Sequence, residues 1–309
     1  MKRVAVVGAG QFGQNHLRVV RESANAELTA VVDTDPAKAP IQDYRELYGK
    51  VDAAIISAPT VFHAEIGCDL LSNGIDVLIE KPIAPDLASA DRLVETAARF
   101  GRILQVGHLE RFNPAVIALE SVATLPLFFE IHRMSLFSPR SLDVDVVLDL
   151  MIHDLDIVLA LVKSPLEEVR AAGVSILSSK VDIANVRLQF RDGCIANLTA
   201  SRVSTEKVRK LRLFQPREYL SLDYARQDLA AFSVGPNQQI GFRQPVVEKG
   251  EPLKLQFESF LNCISTGETP KLDGVVARRT LELALTIVAK MKDHSEVVSR
   301  TISSQRTSA

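Results

Sequence analysis

Nowhere does the chain stay apolar for the ~20 residues of a membrane-spanning helix. It is also poor in cysteine. The three it has, Cys68, Cys194 and Cys263, are an odd number at wide spacing, which excludes a disulfide framework and a CxxC metal site, so no metal is expected. Neither sign of charge dominates: 36 Lys+Arg stand against 38 Asp+Glu, a net charge of −2. That balance argues against a nucleic-acid binder relying on a strongly basic face. The apolar stretch at residues 4–7 stops at Gly8, too short for a signal-peptide core, and a cytoplasmic protein is expected. No internal repeat or low-complexity tract is visible. What is present is ordinary for a globular chain, 47 % hydrophobic and 24 % charged residues. At roughly 150 residues per domain, the 309 residues suggest two domains.

The first part alternates short β-rich runs with helical stretches. Residues 3–7, 27–33, 53–57, 76–80 and 103–107 read as buried strands, and 13–22, 59–73 and 87–100 as helices. This alternation predicts a doubly wound parallel sheet with helices on both faces, a Rossmann-type α/β domain over residues 1–120. After Pro114 the pattern changes. Residues 146–162 are apolar and long enough for a helix. Runs at 169–177, 181–190, 194–203, 208–215 and 217–224 then alternate, with Asp192-Gly193 as a hairpin signal. An α+β domain with a largely antiparallel sheet is therefore expected over 121–309. Within it, 230–252 reads as a long surface loop, 257–265 and 275–292 as closing helices, and 299–309 as a frayed tail.

Gly8-Ala9-Gly10-Gln11-Phe12-Gly13 is a G-x-G-x-x-G placed after a strand and opening a helix. Gly8 permits the tight turn, Gly10 lets backbone approach a pyrophosphate, and Gly13 allows close helix–strand packing. The helix N-terminus offers N–H groups and a positive dipole end to phosphate. Asp33, about twenty residues beyond Gly13, ends the next β-run where a carboxylate accepts adenosine ribose hydroxyls. That carboxylate would repel a 2′-phosphate, and Thr34-Asp35-Pro36 supplies no arginine to receive one, so NAD is favoured over NADP. Lys38 is the nearby counter-argument. A bare strand–helix turn is the alternative.

Two further constellations carry chemistry. Glu80-Lys81-Pro82 ends a central strand, and ligands of doubly wound sheets bind beyond the carboxyl ends of strands. Lys81 is either a crevice residue or a solvated lysine. Within 145–156, a helix would place Asp149 and His153 at i, i+4 on one face, with Cβ atoms roughly 5–6 Å apart. Asp156 follows, while Asp154 is turned away. Three readings compete: a structural one with Asp145 as cap and His153 a core histidine; a metal site; and acid–base catalysis with Asp149 orienting His153. Beside a dinucleotide site the catalytic reading leads, because removing hydride from an alcohol also requires loss of its proton.

In this order the motifs resemble the Gfo/Idh/MocA family of sugar oxidoreductases, and the resemblance covers the whole chain. It implies Lys81, Asp149 and His153 as the catalytic group. It implies cofactor contacts from the glycine turn (Gly8, Gly10, Gln11, Phe12, Gly13), from Asp33 and Thr34, from Ser57, Pro59, Thr60 and His63, and from Glu80 and Lys81. Gly107-His108-Leu109-Glu110-Arg111-Phe112-Asn113 further resembles the nucleotide-sugar branch. Arg111, Asn113 and Asp154 are then substrate-side candidates, with His108 and Glu110 weaker ones. Arg133 and Arg140 are candidates for a diphosphate, which suits arginine's planar fork; the alternative for both is a solvated surface residue. The implied activity is NAD-dependent oxidation of a secondary hydroxyl on a nucleotide sugar. A free polyol such as inositol is the second possibility, and a non-catalytic dinucleotide sensor the third. A homodimer or homotetramer through the second domain's sheet is also implied.

Overall fold

A computed structural model describes residues 1–137 and 144–306. The chain divides into two compact units. The first comprises Met1–Phe112 and Gly250–Glu282, and the second Asn113–Lys249 and Leu283–Ala309.

The first unit is built on a parallel five-stranded sheet, β1 (Lys2–Val7), β2 (Ala26–Val32), β3 (Ala53–Ile56), β4 (Asp76–Glu80) and β5 (Leu104–Gly107), in the order β2-β1-β3-β4-β5. Every residue of β3, β4 and β5 is buried. Strands covered on both faces need continuous apolar runs rather than alternation, which these have. The helices are α1 (Gln11–Glu22), α2 (His63–Ser72) and α3 (Leu87–Phe100). Helix α3 shows why the boundaries fall where they do. The Asp86 side chain accepts from Ser89 N at 2.8 Å, and Gly101 ends the helix with φ +59°. The second segment contributes α6 (Pro252–Thr266). From it Leu253, Phe257, Phe260 and Leu261 join Val4, Val6, Leu17 and Val20 in one core. Burying each phenylalanine is worth roughly 1.5–3 kcal/mol.

The second unit opens with α4 (Pro114–Val122) and holds an eight-stranded sheet: β6 (Phe128–Leu136), β7 (Leu166–Val174), β8 (Ile183–Phe190), β9 (Ile195–Ser204), β10 (Val208–Gln215), β11 (Glu218–Asp223), β12 (Asp228–Val234) and β13 (Ile240–Arg243). The order is β13-β12-β11-β10-β6-β9-β8-β7, antiparallel except for the β6–β9 pair. Phe129, Ile131, Val186, Leu198, Leu211 and Leu220 alternate onto its covered face, where Leu155 and Ile157 of α5 (Ile152–Leu161) also pack.

Several expectations shift. The division is not a single cut at residue 120, because Asn113 already caps α4, accepting from Ala115 N at 3.1 Å, and Ala115, Val116 and Leu119 belong to the second core. Residues 230–252 are not all loop: β12 and β13 lie there. Only Leu229 and Ala231 of β12 point inward and all four residues of β13 are exposed, so the apolar alternation is faint. The polar tail is helical through the end of α7 (Gly274–Arg306), as no Gly or Pro after Gly274 interrupts it.

Candidate active site

The glycine turn separates into two glycines that the protein requires and one that it does not. Gly8 has φ +96°, and a Cβ there would lie 2.6 Å from Ala58 N. At Gly13 a Cβ would meet Gly8 O at 1.9 Å. Beside Gly10, no atom lies within 4 Å of such a Cβ. Gly10 precedes α1 and lines a cavity, and no side chain caps that helix, so its first-turn amides are not taken by a side-chain cap and suit a pyrophosphate. The turn is braced from both sides. Asp33 Oδ2 accepts from Ala9 N at 2.7 Å and Oδ1 from Asp35 N at 2.9 Å, while Ser57 Oγ donates to Gly8 O at 2.7 Å. Gly8, Gly10, Asp33, Thr34, Ser57 and Pro59 line one cavity of about 800 Å³. Gln11 and Phe12 are exposed on the first turn of α1, and Thr60 opens a 3-10 turn at Thr60–Phe62. Lys38 pairs with Asp35 at 3.1 Å. A dinucleotide fits this arrangement.

Lys81 directly follows β4, and the Lys81–Pro82 peptide is cis. Its neighbours are held by two buried histidines. His16, on the apolar face of α1 with Leu17 and Val20, donates from Nε2 to Glu80 Oε1 at 2.7 Å. His63 Nδ1 lies 3.0 Å from Pro82 O and Nε2 lies 2.9 Å from Ala58 O. Burial holds the His63 imidazole below its usual pKa, against the opposing pull of those carbonyls. The His63 ring is buried between two carbonyls, and the Glu80 carboxylate is buried against His16, so both side chains serve the protein's own framework. His16 went unrecognised in the sequence; the available signal was a histidine on an otherwise apolar helix stripe.

Asp149 and His153 do not share a regular α-helix as the spacing predicts. Val147–Met151 form a π turn, closed by Ile152 N donating to Val147 O, and α5 starts beyond it. Extra backbone width of this kind recurs at functional sites. Asp149 and His153 remain partly accessible, whereas Asp154 and Asp156 are buried. Asp145 is no helix cap; its Oδ1 accepts from Val181 N at 3.0 Å. Arg202 donates from Nη2 to Val144 O and, at 3.0 Å, to Val181 O, and its Nε lies 3.5 Å from Asp182 Oδ1. Asp182 also accepts from the amides of Ile176, Leu177 and Ser178 and from Ser178 Oγ. Burial pushes the Asp182 carboxyl up, but these hydrogen bonds hold it down at about 2.

The substrate-side candidates fare differently. Arg133 is not the solvated surface residue of the alternative reading: it is buried and paired with Asp154, itself buried. Asn113 caps α4 and donates from Nδ2 to Tyr224 O at 3.0 Å, which is a framework role. Arg111 lies buried in a 3-10 turn, Leu109–Phe112, with His108 and Glu110 buried beside it. Arg140 lies outside the described residues. Among the described residues, no group of three or more His, Cys, Asp or Glu could hold a metal ion.

The model of the oxidoreductase family with an NAD-binding Rossmann fold (Gfo/Idh/MocA) matches residues 2–108, and the family's C-terminal domain matches 131–215. The chain is 34 % identical over 301 residues to UDP-N-acetylglucosamine 3-dehydrogenase from Acidithiobacillus ferrooxidans, an alignment covering 92 % of this chain and 96 % of that one. The chain belongs to the Gfo/Idh/MocA family. As in that family, its first unit is an NAD-binding Rossmann fold, and NAD is the cofactor. A solved structure of UDP-N-acetylglucosamine 3-dehydrogenase from the same organism superposes with a TM-score of 0.88 at 32 % identity, covering 95 % of this chain and 98 % of that one. An inositol 2-dehydrogenase from Arthrobacter sp. (strain FB24) is 31 % identical over 175 residues, covering 50 % of this chain and 52 % of its own.

Proposed function

We propose that this Gfo/Idh/MocA oxidoreductase oxidises a secondary hydroxyl of a UDP-sugar, C3 of UDP-N-acetylglucosamine, to the 3-keto sugar. The observation that carries this reading is likeness along the whole chain to the nucleotide-sugar enzyme, against likeness over half of it to an inositol enzyme. The amides at the start of α1 hold the cofactor diphosphate, and Asp33 accepts from the adenosine ribose. Bound NAD supplies a hydride acceptor. His153 takes the hydroxyl proton, Asp149 orients the imidazole, and Lys81 donates to the oxygen as charge develops on it. The partial exposure of Asp149 and His153 beside two buried aspartates supports that choice of pair.

Three finer elements belong to the same proposal. The 3-keto product is suited to amination at C3, on a route to 3-amino lipid A sugars. A cytoplasmic setting agrees with the free state of all three cysteines. A second copy of the chain covers the sheet of the second unit, giving a homodimer or homotetramer. There Phe128, Phe214, Tyr219, Phe232 and Phe242 form an aromatic ladder with successive ring centroids 5.9, 4.9, 5.6 and 5.1 Å apart. Phe214, Phe232 and Phe242 are exposed, and an apolar strip of that kind marks an interaction surface.

The test is NADH formation across a panel of UDP-N-acetylglucosamine, free N-acetylglucosamine and myo-inositol, with the product's mass measured. Turnover of the UDP-sugar alone, with loss of two mass units of hydrogen, is expected. Activity on inositol without any on the UDP-sugar would overturn the substrate, and tight NAD binding with no turnover would favour a sensor.

A further inference from the structure

We propose that His16 and His63 are positioning residues that register Lys81 against the dinucleotide site from its two sides. The inference rests on the assignment of Lys81 as the group that donates to the substrate oxygen. Lys81 lies just past the last rung of the sheet, where Glu80 pairs with Gly107. The residues before and after it are both held by buried side chains. On one side the buried Glu80 carboxylate is gripped by His16 Nε2 at 2.7 Å and receives Lys81 N at 3.3 Å. It cannot swing away through β5, because even a methyl group on Gly107 would lie 2.8–2.9 Å from its carboxyl atoms. On the other side, the His63 ring lies between Pro82 O and Ala58 O, with Nδ1 and Nε2 at 3.0 and 2.9 Å, and donates its single N–H to one of them.

The origin of each histidine gives the pairing its meaning. His16 stands on α1, the helix that begins at Gly10, and Ala58 lines the same cavity as Gly10 and Asp33. Each clamp therefore starts on a segment that adjoins the dinucleotide cavity and ends on a residue adjoining Lys81. A shift of about 1 Å at a reacting group can cost on the order of 100-fold in rate, so this two-point linkage has catalytic leverage without touching substrate.

The experiment is a double-mutant cycle. His16→Leu and His63→Leu should each lower kcat, by up to ~100-fold, while KM for the sugar and the NAD dissociation constant, measured by calorimetry, stay within threefold (~0.7 kcal/mol). His16→Gln keeps a donor for Glu80 and should restore most of the loss. In a Lys81→Ala background the same histidine changes should have no further effect, because they act through Lys81. Full additivity of the losses in that background would overturn the positioning role and leave the Lys81 assignment standing. Wild-type turnover by Lys81→Ala alone would overturn the assignment itself. If the leucine variants do not fold, Gly107→Ala, which crowds the same carboxylate, carries the cycle with the same two outcomes.

Discussion

Arg133 and Asp154 meet fork to fork, Nε to Oδ2 at 2.7 Å and Nη2 to Oδ1 at 2.8 Å, both of them buried. Tyr224 completes the arrangement, its hydroxyl donating to Asp154 Oδ1 at 3.0 Å and its ring lying 4.8 Å from the guanidinium carbon. Removing one partner strands a buried charge, whereas removing both does not. Arg133→Met should therefore cost about 3–5 kcal/mol of unfolding free energy, and Arg133→Met with Asp154→Leu should recover most of it. Denaturant titration of the two variants checks this; equal losses would mean that packing rather than charge dominates.

The glycine turn predicts a contrast between two otherwise similar changes. Gly10→Ala should fold as the wild type does, since its Cβ meets nothing, but bind NAD on the order of tenfold more weakly, about 1.4 kcal/mol. Gly13→Ala must push α1 from Gly8 O, and should lose roughly 1–3 kcal/mol of stability or more. Melting curves with and without NAD separate the two.

Lys81→Ala and His153→Ala should each cut turnover by ~100- to 10,000-fold, the range for acid–base groups. Cofactor affinity should stay nearly unchanged. Steady-state rates and NAD titration together provide the check; wild-type turnover in either variant would remove that residue from the mechanism.

Asp182 makes stability depend on acid. Its folded pKa of about 2 lies below the ~3.9 of an unfolded aspartate, so the unfolded chain binds the proton more readily. The contribution, about 2 kcal/mol, is fully present above pH ~4 and fades as pH falls through about 2. Asp182→Asn should be the less stable protein at neutral pH, with the gap closing towards pH 2, as unfolding measured across that range will show.

Legibility followed locality. The glycine turn and Asp33 announce themselves because each constraint acts within a few residues, and the parallel sheet shows in the short apolar runs that both its faces demand. The π turn does not show, since adding width at Val147–Met151 changes no residue type. Strand β13 is exposed along its length and leaves no alternation to read. Arg133 was the hardest case: nothing near it in sequence marks it as buried, because its partner is twenty-one residues away on another element. His16 and Glu80 are separated by sixty-four residues for the same reason.

Helix α6 carries a consequence for synthesis. Phe257 and Phe260 complete a core whose other members, Val4, Val6 and Leu17 among them, leave the ribosome long before them. The nucleotide-binding unit must therefore wait, with part of its apolar interior uncovered, while the whole of 113–249 is translated. A fragment ending near residue 120 should need a chaperone or precipitate, and vectorial folding from the N-terminus is closed to this unit until its last segment arrives.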